Sequence, residues 1–271
     1  MLAHTNQQPV EATSTRAYDT EVQQAIWHAF RVLIPIRVNT HRYGGHRPRT
    51  ADRLCFGVIM LRLGSGMSWV DACRVAGGHV SDTTVRSRRI EWIAAGIFQR
   101  LEGEALAASD RIIVLDLSEL AVDGSQHKTP CGGEGTGPNP TGRGGSGHKW
   151  SILTEKYGVP IGWVLDSANR HDIRLFEPTL RHVAEHGLHL DKGYDSAGVR
   201  DTITDYGITG AVIAKRRKRG ESETAPRPAN AAGHSLGLRW PVERTNSWLT
   251  NFGQLRRNTD RKIQHRESLL A

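Results

Sequence analysis

The 271-residue chain carries 36 Lys and Arg against 28 Asp and Glu, a formal charge of +8 and a pI near 9.7. A basic surplus of this size favours nucleic acid or another acidic surface as partner, and the length suits one large domain plus a small one. The three cysteines, Cys55, Cys73 and Cys131, form no CxxC pair, which argues against a cysteine zinc site or a disulfide framework and suits a reducing cytosol. No apolar run approaches the roughly 18 residues that span a bilayer, and no apolar segment follows a basic start. A cytoplasmic protein with no membrane partner is expected.

Residues 1–20 are polar and expected to be loose. A short amphipathic helix follows over Glu21–Ile34, ended by Pro35, and then a basic linker from His41 to Arg49. Three helix patterns come next, over Thr50–Gly64, Ser68–Gly77 and Ser81–Gly96. Their short, glycine-containing turns suit a helix-turn-helix, so 21–100 reads as an all-α DNA-binding domain. The third helix carries Thr83, Thr84, Arg86, Arg88 and Arg89 near its start, where a recognition helix meets base edges and phosphates. The competing reading is a small packing bundle with a solvated basic face.

The composition changes at Arg111. An apolar run from Ile112 to Leu115 continues through Leu117, Leu120 and Val122 as a strand expected to end at Asp123-Gly124. A Gly- and Pro-rich loop over 125–147 follows. Lys149–Lys156 and Val159–Asp166 read as two strands joined by a hairpin turn at Tyr157-Gly158. A helix (Arg174–His186), a short strand (His189–Asp191), a helix (Ser196–Tyr206) and a strand (Ile208–Ala214) complete an alternation typical of a mixed α/β sheet over 110–271. The basic run Lys215, Arg216, Arg217 then stands at the end of a strand, placed to hold phosphate backbone. Last comes RWPVERTNSWLTN from Arg239. Pro241 suits a first helical turn, Val242, Trp248 and Leu249 form the apolar side, and Glu243, Asn246, Ser247 and Thr250 form the polar one.

Three acids stand at element ends: Asp123, Asp191 and Glu243. In an open sheet, ligands sit off the carboxyl ends of strands. Three clustered carboxylates repel one another unless divalent cations neutralise them, and hard oxygen ligands suit Mg²⁺ or Mn²⁺. Two such ions, ~3.5–4 Å apart, suit phosphodiester chemistry. Cationic side chains around them would grip the backbone. Asp116 competes with Asp123 for the first place, and Asp195 with Asp191 for the second.

AVDGS at 121–125, HLDKGYDS at 189–196 and RWPVERTNSWL at 239–249 resemble the three signature blocks of DDE transposases from bacterial insertion sequences, in particular the insertion-sequence-five family of actinobacterial type. The loop GGEGTGPNPTGRGGSGHKW and VLDSANRHD at 164–172 are similar to the same family. The resemblance implies a ribonuclease-H-like mixed sheet flanked by helices, two Mg²⁺ or Mn²⁺ ions, and cut-and-paste movement of DNA bounded by inverted repeats into target DNA, carried out by a homodimer. Block by block it gives Asp123, Asp191 and Glu243 the catalytic, metal-holding role. It gives Arg239 a DNA contact near the cut, with Arg244 beside it. A tyrosine and a lysine of the wider signature are replaced by Leu236 and Thr250. The family continues into a long apolar helix where this sequence stops at Ser268-Leu269-Leu270-Ala271. A truncated copy is therefore expected, and a DNA-binding protein that occupies element ends without catalysis is the alternative function.

Overall fold

Polar caps punctuate the first half of the chain. Asp19 accepts from the backbone of Glu21, Ser68 from Asp71 and Ser81 from Thr84, each satisfying a first-turn N–H that a helix cannot pair internally. The resulting helices are α1 (Thr20–Leu33), α2 (Asp52–Ser65), α3 (Trp69–Val75), α4 (Asp82–Ala94) and α5 (Ile97–Ile113). The computed structural model describes residues 19–36, 48–181, 187–190, 194, 196–207, 211–213 and 239–271. Asp191, Asp195, Lys215, Arg216 and Arg217, expected at the site or on DNA, lie outside the described residues. The helices pack around Phe30, whose ring meets Trp92 at 4.8 Å, Phe56 at 5.1 Å and Phe98 at 5.7 Å. No single helix among the described residues is long and apolar enough to cross a bilayer.

The apolar run at 112–115 is not the start of a strand. Ile112 and Ile113 close α5 and are 79% and 51% exposed. The preceding Leu101–Asp110 stretch is rich in Leu, Glu and Ala, good helix formers that carry the helix through the run. The sheet begins only at β1 (Glu119–Lys128), and continues with β2 (Gly137–Pro138), β3 (Ser146–Thr154), β4 (Pro160–Ser167), β5 (Gly187–Leu190) and β6 (Val212–Ile213).

β1, β3 and β4 form an antiparallel meander; β5 joins β1 in parallel and β6 joins β5 in parallel. The order β4-β3-β1-β5-β6, with β2 pairing the start of β3, is that of a ribonuclease-H-like sheet. Strand alternation sends Leu120, Val122 and Leu153 to one face, under α6 (Asp172–Leu180) and α7 (Ala197–Asp205). It sends Ala121, Trp150 and Ile152 to the other, under α8 (Trp240–Leu249), α9 (Gly253–Arg256) and α10 (Ile263–Leu270).

β1 does not end at Asp123-Gly124. It runs on to Lys128, pairing Gly124 with Ser151 and His127 with His148. Gly124 marks a close approach rather than a turn, since a Cβ there would stand 2.3 Å from Asp172 Oδ1. The hairpin turn at Tyr157-Gly158 is as expected, with Gly158 at φ +90° and the Val159 carbonyl accepting from Glu155 N at 3.1 Å.

Candidate active site

Asp123 sits in the middle of β1, on the face that carries Trp150 and Ile152. Glu243 sits in the first turn of α8, where the helix dipole favours an acid, just after Pro241 in that turn. Packing α8 on this face brings the two acids, 120 positions apart in the chain, to one guanidinium. Arg239 Nη2 lies 3.5 Å from Asp123 Oδ1 and 3.2 Å from Glu243 Oε1.

A hydrogen-bond relay fixes the other oxygen of Asp123. The Trp150 indole N–H, a donor only, reaches Asn246 Oδ1 at 2.8 Å. That sets the amide so that Asn246 Nδ2 donates to Asp123 Oδ2 at 3.1 Å. Burial pushes the Asp123 carboxyl up to about 6, against the lowering pull of Arg239 and the Asn246 hydrogen bond. Four positions further along β1, His127 stacks on Trp150 with ring centroids 3.5 Å apart, and His148 lies 5.7 Å from His127. Both imidazoles are pushed down to about 3 by burial, so they are neutral. They are buried, packed rings around Trp150; among the described residues no three His, Cys, Asp or Glu side chains form a metal-binding group.

The β3–β4 hairpin holds α8 in place. Thr245 Oγ1 donates to the Gly158 carbonyl at 2.6 Å, and the Arg244 guanidinium donates to the Tyr157 carbonyl. Arg244 also lies between two indoles, 4.5 Å from Trp240 and 4.6 Å from Trp248. These tryptophans are 47% and 51% exposed, so Trp248 is a surface residue and not the core residue its place on the helical wheel implied. The inward side of α8 is instead Pro241, Val242, Thr245 and Asn246.

The structure thus brings together Asp123, Glu243 and Arg239, while Arg244 is turned to the β3–β4 hairpin and the two indoles. Asp116 is elsewhere: it precedes β1, and its carboxyl is held low, at about 2, by Ser118 and Lys156. The expectation of DNA contact for Arg88 and Arg89 is corrected. They are 4% and 2% exposed, and both guanidiniums are engaged inside the protein. Arg88 pairs with Asp52 and the Thr50 carbonyl, and Arg89 with Asp260 at 2.9 Å. A run of arginines on a helix cannot, by sequence alone, distinguish outward from inward members. Arg86, on the outward side of α4, keeps an exposed guanidinium 3.3 Å from Asp82. Two members of the site escaped sequence reasoning, Trp150 and the buried role of Asn246. The available signal was Asn246 one helical turn after Glu243.

Residues 108–271 match the family model described as a transposase DDE domain. The chain belongs to the DDE transposase family. A protein of Burkholderia cepacia assigned as the transposase for insertion sequence element IS402 is 36% identical to this DDE-family chain over 140 residues, which are 47% of the chain and 60% of the relative. The chain thus spans 60% of that curated relative's length. Among solved structures, the Mos1 transposase paired-end complex with left transposon end is 11% identical, with a TM-score of 0.25 over 91% of this chain and 90% of that one. The Mos1 mariner paired end complex with Mn is 10% identical, with a TM-score of 0.26 over 89% and 94%. The ribonuclease-H-like fold is given by the strand order.

Proposed function

We propose that this DDE-family chain is a transposase of the insertion-sequence-five type that cuts and joins DNA strands at the inverted-repeat ends of a mobile element. The observation that carries the reading is the single guanidinium of Arg239 shared by Asp123 and Glu243. Two acids from distant segments have been brought to one cation, and carboxylates in that position suit a metal centre better than a packing role.

The donor set fits hard divalent cations. Both acids offer oxygen ligands, and a carboxyl raised to about 6 by burial is one that a nearby cation would keep ionised. Arg239 stands in for that charge. In this reading Asp123, Glu243 and Asp191 would hold two Mg²⁺ or Mn²⁺ ions, whose Lewis acidity would activate a water or a 3′-hydroxyl toward a phosphodiester. Asn246 holds Asp123 Oδ2 and, through Trp150, keeps the carboxylate from rotating. Arg239, released from the acids, turns to DNA phosphate near the cut. Arg86 and Arg244, with Lys215, Arg216 and Arg217, grip the duplex, the α2–α4 region acts as the helix-turn-helix, and two copies pair the two ends.

Asp123→Asn is expected to abolish Mg²⁺-dependent cleavage of a duplex bearing the terminal repeats while leaving its binding in place. Binding that disappears together with cleavage would count against separate roles. Cleavage without strand joining would reduce the activity to that of a plain nuclease, and a wild-type chain that binds ends but never cuts would leave an end-occupying protein.

A further inference from the structure

A cleft of about 630 Å³ opens between the helical bundle and the C-terminal segment 257–265. Its walls carry Arg62, Arg86, Arg89, Arg257, Arg261 and Lys262 against one carboxylate, Asp260. The floor is itself positively charged. Asp260 pairs with Arg62 at 3.4 Å and Arg89 at 2.9 Å, so one buried negative charge meets two buried positive ones. The Nε of each of these two arginines is buried with no hydrogen-bond partner among the described residues, and burial lowers Arg62 to about 10. Such a floor carries an uncompensated charge that an anion in the cleft would offset. The rim residues Arg257, Arg261 and Lys262 are exposed.

Position selects the kind of anion. One wall is the outward face of α4, through Arg86 and Ile90, and the other belongs to the segment that follows the α8 and α9 helices. Arg257 is bridged to Lys128, the last residue of β1. Lys128 is five positions beyond Asp123, roughly 17 Å along the strand, a distance a duplex covers in about five base-pair steps.

We propose that this cleft is a phosphate-backbone clamp for double-stranded DNA, joining the helical bundle and the C-terminal segment into one surface that feeds the carboxylate site. The proposal rests on the transposase reading above and adds a second set of contacts, Arg257, Arg261 and Lys262.

The test is fluorescence anisotropy of the full chain with a labelled duplex of about 20 base pairs, from ~50 to ~200 mM salt. The triple variant Arg257→Ala/Arg261→Ala/Lys262→Ala is expected to bind roughly tenfold or more weakly, with the slope of log K against log salt shallower by about 2–3. A charge-matched variant, Arg111→Ala/Arg174→Ala/Arg181→Ala, removes three arginines elsewhere and is expected to bind close to wild type. Equal losses in the two triple variants would reduce the effect to net charge and overturn the clamp, as would an unchanged slope in the first. If the first variant fails to fold by circular dichroism, Arg257→Ala and Lys262→Ala taken singly each carry a slope change of about one, and an unchanged slope in both overturns the clamp. Wild-type chain that binds no duplex overturns the DNA reading as well. Wild-type chain that binds, with the clamp variant binding equally, overturns the clamp alone.

Discussion

At the scale of single residues, the site is a balance of buried titrations with opposite signs. His127 and His148 have their pKa pushed from 6.5 down to about 3 by burial. The unfolded chain takes up their protons near 6.5 while the native one refuses them. Their contribution is therefore intact above about pH 6.5 and is lost as pH falls toward 3. Asp123 runs the other way. Its carboxyl rises from 3.8 to about 6, so the native state holds that proton more tightly, and its penalty is absent below about pH 4 and complete above about pH 6. A tenfold difference in proton affinity between the folded and unfolded chain corresponds to ~1.4 kcal/mol. Two histidines outweigh one aspartate, so stability is expected to fall as pH drops from about 6.5 to about 4. His127→Phe keeps a ring on Trp150, removes the unpartnered Nε2, and is expected to flatten this acid limb by about one proton in urea unfolding across that range. A limb of unchanged steepness would mean that His127 titrates in the native state. Asp123→Asn should instead raise stability at neutral pH, by up to a few kcal/mol, and change little near pH 4.

At the scale of elements, close backbone contact decides how helices meet the sheet. α9 begins at Gly253, which lies against the end of α2. A Cβ on Gly253 would stand 2.5 Å from Gly66 N and Ser65 C, backbone atoms that cannot swing aside. Gly253→Ala is expected to cost about 1–3 kcal/mol, as overpacking does. Gly57, inside α2 with nothing within 4 Å of its would-be Cβ, gives the opposite sign: Gly57→Ala is expected to add ~0.5–1 kcal/mol. Denaturant midpoints of the two variants give the comparison directly. Sequence alone located most of these elements, because caps such as Ser68 and Ser81, and Pro241, act locally. It also placed Glu243 in a first turn and the hairpin at Gly158. It failed where the deciding contact is distant. Ile112 and Ile113 read as strand because exposure is invisible in a string of residues. β1 was cut short at Gly124 because the reason for that glycine is Asp172, 48 positions later. Asn246 read as merely polar because its partner, Trp150, belongs to another strand. The joining of Asp123 to Glu243 was legible through the order of the signature blocks, and the bridging of both by Arg239 was not.

At the scale of the whole molecule, Asp260 ties the helical bundle to the C-terminal segment that also covers the sheet. It receives Arg62 from α2 and Arg89 from α4, and Arg266 of α10 donates to its carbonyl at 3.1 Å and 2.8 Å. All three side chains in the ion triad are less than a tenth exposed. Breaking such a pair leaves the partners charged and unsatisfied, at a cost of about 3–5 kcal/mol. Asp260→Asn is therefore expected to lower stability by that order, read from its denaturant midpoint. The same substitution removes the one carboxylate in the basic cleft. At a temperature where the variant is still folded, it should bind duplex DNA as tightly as wild type or more tightly, with a salt dependence no shallower. Stability and affinity would then move in opposite directions from one change, as they must if the cleft holds positive charge for a phosphate backbone at the expense of the fold. If both fall together, Asp260 shapes the DNA-binding surface instead of restraining its charge, and the clamp loses its electrostatic basis.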